Sequence, residues 1–343
     1  MHRLRSGRSL AAVLLVVAVA AAIAALAAAS GGGGGDALVV YNGRSHYGGE
    51  QAFKRFTRAT GIEVKLFPGE ANELYERLRN EGSSTPADVL VTVDGANLWE
   101  AKKAGLLAPV RSAAVDRDVP AALRDPDGDW VAISQRVRTI VRSTERVRPG
   151  GLRTYEDLGN PRWKRRLCLR TSNNIYNQSF VADQLAKRGR ARTTALLRSW
   201  MANEPRILGS DVDVLEAIAA GRCDVGLTNH YYLARLLKTD PRFSAAPVWA
   251  DQQGAGAHAN ISGAGVVAAS DRKGDAAKLV AFLTEPAAQR DIAANGELPA
   301  NPRVPPAPHV RRWGGVKLDP IDVARAGAEQ QAAVQLMARV GWK

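Results

Sequence analysis

Residues 229–232 read Asn229-His230-Tyr231-Tyr232, two phenols side by side in a chain with only seven tyrosines. Neighbouring side chains diverge by about 100° on a helix and about 180° on a strand. Two adjacent tyrosines therefore rarely serve one apolar face. At a turn, or in the first turn of a helix, both hydroxyls can converge on one point. A phenol that loses its proton is a hard oxygen donor, and hard donors suit small, highly charged cations. The pair directs attention to other phenols in polar runs, Tyr47 beside His46 and Tyr176 within 172–179. Each has a duller reading when taken singly. Tyr47 and Tyr176 could be loop phenols bonded to backbone, and the pair could stack on a substrate. His230 reads as a helix-cap or surface residue, and Asp88 as structural.

Such donors must be delivered by loops on a rigid scaffold. Residues 37–41 read as a short apolar strand. Phe53 and Phe56 at i, i+3 mark a helix over 50–60 that Gly61 closes. Residues 62–67 read as a second strand, and Leu74 and Leu78 mark a helix over 72–81 stopped by Gly82. Residues 87–93 are nearly all apolar, as in a buried parallel strand, and a helix over 97–104 follows. This βαβαβα order predicts a parallel sheet with helices on its faces. Ligands gather at the carboxyl ends of such strands, where 42–47 and 92–97 lie. Residues 131–143 read as one long strand able to pass between two lobes, with Arg136 and Arg138 on the same side. A second α/β unit follows, with strands over 165–170 and 224–228 and helices over 177–187, 191–202, 211–220 and 231–238. A returning strand over 260–269, a helix over 275–283 and a last helix near 321–339 complete the pattern.

Residues 1–10 carry Arg3, Arg5 and Arg8 and no acid, residues 11–29 are wholly apolar, and Ser30 and five glycines follow. This reads as a signal peptide over 1–30 and a Gly-rich linker over 31–36. An uncleaved membrane anchor is the alternative. The chain is thus expected to be periplasmic or otherwise extracytoplasmic. What remains predicts about two domains. The formal charge of +13 includes the three signal arginines. The excess reads as arginine scattered along the chain, and without an aromatic-basic motif no nucleic-acid role is expected. The two cysteines, Cys168 and Cys223, predict a disulfide in an exported chain, with two buried thiols as the alternative. Neither has the spacing of a zinc site. No Gly-x-Ser-x-Gly, His-Glu-x-x-His, Walker or Gly-x-Gly-x-x-Gly motif occurs, so no catalysis is expected.

Four segments taken in order carry a resemblance: Tyr41-Asn-Gly-Arg-Ser-His-Tyr47, Thr85-Pro-Ala-Asp-Val-Leu90, Ser172-Asn-Asn-Ile-Tyr-Asn-Gln-Ser179 and Asn229-His-Tyr-Tyr-Leu-Ala-Arg-Leu236. They resemble the periplasmic ferric iron-binding proteins of bacterial ABC importers, of the Fut/Fbp type. The resemblance implies an α/β, two-lobed periplasmic-binding-protein fold (type II-like), each lobe a mixed, mainly parallel sheet flanked by helices. It places the N-terminal lobe at 37–135 plus 260–303 and the C-terminal lobe at 136–259 plus 304–343. It implies Fe³⁺ as the transported ligand, held in the interlobe cleft by tyrosinates at Tyr47, Tyr176, Tyr231 and Tyr232, with His46 as an optional fifth donor. The carboxylate of the Fbp branch would fall at Val93, with Asp94 one residue off, so that version of the site fits poorly. Four phenolates exceed the ferric charge by one. Arg136, Arg138 and Arg235 are the expected compensating charges, since arginine does not lose its proton. The implied partners are an ABC permease and its ATPase, with the binding protein a monomer. The rival reading is a binding protein for a small organic anion or phosphonate, gripped by Arg136, Arg138 and Tyr232.

Overall fold

The computed structural model of the protein describes residues 37–44 and 50–343. His46 and Tyr47 lie outside the described residues, as do the signal peptide and linker read over 1–36. Among the described residues no helix is long and apolar enough to cross a membrane.

Strand β1 (Leu38–Asn42) lies between β2 (Val64–Pro68) and β3 (Val89–Thr92), parallel to both. The crossovers are helices α1 (Glu50–Thr60) and α2 (Ala71–Glu81), and α3 (Gly95–Lys103) follows β3. Phe53, Phe56, Leu74 and Leu78 are buried, so their helical spacing marks the core faces. Past β3 the sheet turns antiparallel. Strand β10 (Ala257–Val267) runs against β3 on one side and β5 (Val131–Ser143) on the other. Strand β5 changes partner partway along. Residues 131–137 pair with β10, and 138–143 pair with β8 (Val225–Asn229) and β9 (Ala245–Val248). Beyond β8 come β6 (Leu167–Arg170) and β7 (Arg206–Leu208), both parallel. Short strands β4 (Leu107–Ala108), β11 (Leu298–Pro299) and β12 (Leu318–Pro320) pair with β5 or β10. The fold is the expected α/β one, a mixed sheet whose two halves share β5.

The second half carries α4 (Ile175–Ala202), α5 (Asp211–Ala219) and α6 (His230–Thr239). The two helices expected over 177–202 run together as α4, but Gly189 breaks them with φ +78° and ψ 165°. After β10 come α7 (Lys273–Phe282), α8 (Pro286–Ala293), α9 (Val323–Ala328) and α10 (Gln330–Arg339). The last helix of the sequence reading is thus two short ones. Strands β7 and β9 and helix α8 went unread, being too short to show a period.

Cys168 in β6 and Cys223, just before β8, are joined by a disulfide with a Cα–Cα distance of 5.9 Å. Both residues are buried. The bond ties neighbouring parallel strands and closes a loop of 55 residues. Replacing both cysteines by alanine is expected to lower the unfolding free energy by about 2–4 kcal/mol. The check is chemical denaturation, and an unchanged midpoint would show that the bond adds no stability.

Candidate functional site

Tyr176 lies in the first turn of α4, which follows β6, and Tyr231 and Tyr232 open α6, directly after β8. Because β6 and β8 are parallel, both helix starts emerge from the same edge of the sheet. There the three phenols pack in one cluster with Ala71 of α2, Val93 after β3 and Ile175. The rings of Tyr231 and Tyr232 lie 4.4 Å apart between centroids, tilted by 38°. Neighbours in the first helical turn, the two rings thus pack against each other. A cleft of ≈ 440 Å³ opens beside them. Glu70, Ala71, Asn72 and Val93 line it from the first half of the sheet. Arg170, Asn173, Asn174, Ile175, Tyr176 and Tyr232 line it from the second. Tyr231 is fully buried, and Asn229 Nδ2 donates to its hydroxyl at 3.4 Å.

Burial pushes the Tyr232 phenol well above its ordinary pKa, and the Tyr176 phenol and Asp211 carboxylate push the same way. Guanidinium groups surround the cluster. Arg136 lies 5.0 Å and Arg170 5.7 Å from the Tyr176 ring centroid, and Arg235 lies 5.5 Å from that of Tyr231. Burial works against the charge on Arg170, but Asp211 and the three phenols keep its pKa above the ordinary value. Arg170 ends β6, at a strand terminus where a ligand-facing residue is expected. That position was its only sequence signal, and it was not read, nor was Glu70.

Arg138 differs from the sequence expectation. It is buried, and its Nη1 donates to both oxygens of Asp211 at 2.8 Å. Asp211 therefore already answers its charge, and Arg138 is not held in reserve for a ligand. It also donates to Asn177 Oδ1 at 2.7 Å and reaches Asn229 Oδ1 at 3.4 Å. Arg136 shares its face of β5 and donates to the Ile261 carbonyl at 2.8 Å. Arg235 donates to the Asn295 carbonyl at 3.3 Å.

Val93 faces the cleft, while Asp94 turns away. Asp94 caps α3 at Ala96 N (3.0 Å) and accepts from Ser179 Oγ (2.6 Å) and Asn260 Nδ2 (2.9 Å). Its oxygens are thus engaged with protein donors. His230 is neither at the surface nor a cap. It is fully buried, its Nδ1 accepts from Val137 N at 3.1 Å, and burial pushes its pKa down to about 4. The reason is topological, since β8 runs inside the sheet and the residue that follows it stays under β5. His258 is buried, with its Nδ1 2.8 Å from Asp183 Oδ2.

Residues 84–312 match the family model described as bacterial extracellular solute-binding protein. Iron uptake protein A1 of Synechocystis sp. is 38% identical over 314 residues, 89% of this chain and 87% of the relative. The major ferric iron-binding protein of Neisseria meningitidis serogroup B is 28% identical, over 89% of this chain and 93% of its own. Among solved structures, Trichodesmium FutA in complex with iron and citrate ligands superposes with a TM-score of 0.84 at 38% identity, over 90% of this chain and 100% of that one. The chain belongs to the family of bacterial extracellular solute-binding proteins.

Proposed function

We propose that this protein binds ferric iron in the cleft and carries it to an ABC permease. The observation that supports this most directly is the gathering of Tyr176, Tyr231 and Tyr232 from two strand ends at one cleft. Tyr47, with His46 beside it, completes the proposed donor set. Fe³⁺ is small and hard, and phenolate oxygen suits it. The named relatives point the same way, being iron uptake and ferric iron-binding proteins. Arg136, Arg170 and Arg235 supply positive charge around the phenolates, and Arg138 positions them. On this reading the lobe boundaries fall at 135/136 and 259/260, and β5 changes partner nearby, between Val137 and Arg138. A cation gripped from both lobes favours the closed form by its differential contacts, and the permease would read that form. The protein works as a monomer outside the cytoplasm and does no chemistry on its cargo.

A second reading, a small organic anion as ligand, is favoured by Arg170, Asn173 and Asn174 along one wall of the cleft. Colour separates the two, because phenolate-to-iron charge transfer makes a ferric complex orange to red. Titrated with ferric citrate, the protein is expected to turn coloured. Tyr231→Phe and Tyr176→Phe should each weaken iron binding by more than about tenfold, or about 1.4 kcal/mol, while the fold persists. Wild-type colour and affinity in both variants would remove these residues from the site. A colourless protein that binds an anion would favour the second reading.

A free phenol is protonated at neutral pH, and burial holds the Tyr232 proton more firmly than usual. Metal binding must expel those protons. Affinity is therefore expected to rise with pH and to fall on acidification, with protons released on loading. Titration in weakly buffered solution checks this, and binding without proton release would contradict phenolate ligation. Arg138→Ala leaves Asp211 buried without its main partner, which costs roughly 3–5 kcal/mol. Denaturant unfolding should show that loss, and ferric titration should show weaker binding. A fully stable variant would mean that the pair is dispensable.

A further inference from the structure

The positive charge of this chain is not scattered. Residues 142–242 hold nineteen Lys and Arg against ten Asp and Glu, an excess of nine out of thirteen for the whole sequence. Hydrogen bonds bring four parts of this stretch together. Asp224 N donates to the Arg166 carbonyl at 2.8 Å, Arg165 N to that of Asn203 at 2.7 Å, and Ser143 N to that of Asp224 at 2.8 Å. Segments 143–148, 162–166, 203–206 and 221–224 therefore lie side by side. They form the amino-terminal edge of β6, β7 and β8, together with the far end of β5. The cleft lies past the carboxyl ends of β6 and β8, so this pole is on the opposite side of the lobe.

At this pole the carboxylates are outnumbered. Asp224 serves both Arg146 and Arg166. Glu204 serves both Lys164 and Arg165. Arg148, Arg206 and Arg222 are exposed and have no ion-pair partner among the described residues. None of the five described cavities is lined by these side chains, and the exposed large hydrophobic residues, Phe67 and Val334, lie elsewhere in the chain. Among the described residues the pole thus offers a broad field of cations away from the five described cavities, with no exposed large hydrophobic side chain to act as an apolar wedge or to stack on a base.

We propose that this pole docks on an anionic phospholipid surface. Guanidinium groups pair with phosphate oxygens in a fork geometry, and a plane of headgroups matches a broad patch better than a discrete ligand does. Without apolar insertion the contact is electrostatic, reversible and weakened by salt. Held this way, the protein turns its cleft away from the bilayer toward incoming solute, and weak contact lets it leave to deliver. This inference does not depend on the nature of the cargo.

The test is cosedimentation of residues 31–343 with vesicles of phosphatidylcholine alone or mixed with phosphatidylglycerol. The expected result is binding to the mixed vesicles only, abolished by salt and equal for wild type and Tyr231→Phe. The triple variant Arg148→Gln, Arg206→Gln and Arg222→Gln should lose more than about tenfold in binding with an unchanged melting curve. Equal binding by the triple variant overturns the proposal. So does failure to bind the mixed vesicles, including the case in which duplex DNA or an acidic protein binds instead. Loss of ferric binding in Tyr231→Phe with vesicle binding intact would separate the two proposals.

Discussion

Arg138 is covered by protein, so its charge must be answered internally. Asp211 answers it with two short contacts. The same guanidinium reaches Asn177, one residue past Tyr176, and Asn229, two residues before Tyr231. One cation on β5 therefore sets where two helices begin, and with them the three described phenols. Asn229 gives up the usual side-chain cap of α6 for this role, bonding Arg138 and the Tyr231 hydroxyl instead. A buried charge deprived of its partner is costly, and that cost is what holds the arrangement in one geometry.

The two halves of the sheet meet through β5, and near the cleft they are also tied by side chains. Asp94, at the start of α3, accepts from Ser179 on α4 and Asn260 on β10. Burial raises its pKa, against the pull of Arg136 and its hydrogen-bond donors. A carboxylate in this position braces the site rather than entering it. Val93 fills the adjoining place with a side chain that can neither ligate nor ionise. The oxygen donors from the described part of the proposed set are therefore phenols alone, and their protons become the variable that the solvent controls.

Much of this was legible in the sequence because the elements are long or strongly patterned. Phe53 with Phe56 and Leu74 with Leu78 marked the faces of α1 and α2, and the apolar run over 87–93 marked β3. The adjacency of Tyr231 and Tyr232 was legible because chemistry explained it better than packing did. Residues whose meaning depends on long-range pairing were not. Arg138 looked like a charge awaiting a ligand because Asp211 stands 73 positions away. His230 looked polar and peripheral because nothing local shows that β8 runs inside the sheet. Arg170 looked like one arginine among many, and its position at the end of β6 gives it meaning only once that edge is known to face the cleft. The concentration of arginine in 142–242 could be counted, but its gathering on one edge could not.

The sulfurs of Cys168 and Cys223 belong to residues that are 0% and 1% exposed. Thiol–disulfide exchange needs a thiolate to reach one sulfur directly, and the finished protein gives it no path. An oxidant can join the two cysteines only before β6 and β8 close over them. Nor can a reductant part them while the native packing holds. The bond is therefore a fossil of the surroundings in which the polypeptide matured, and counting free thiols in a purified sample reads that history directly.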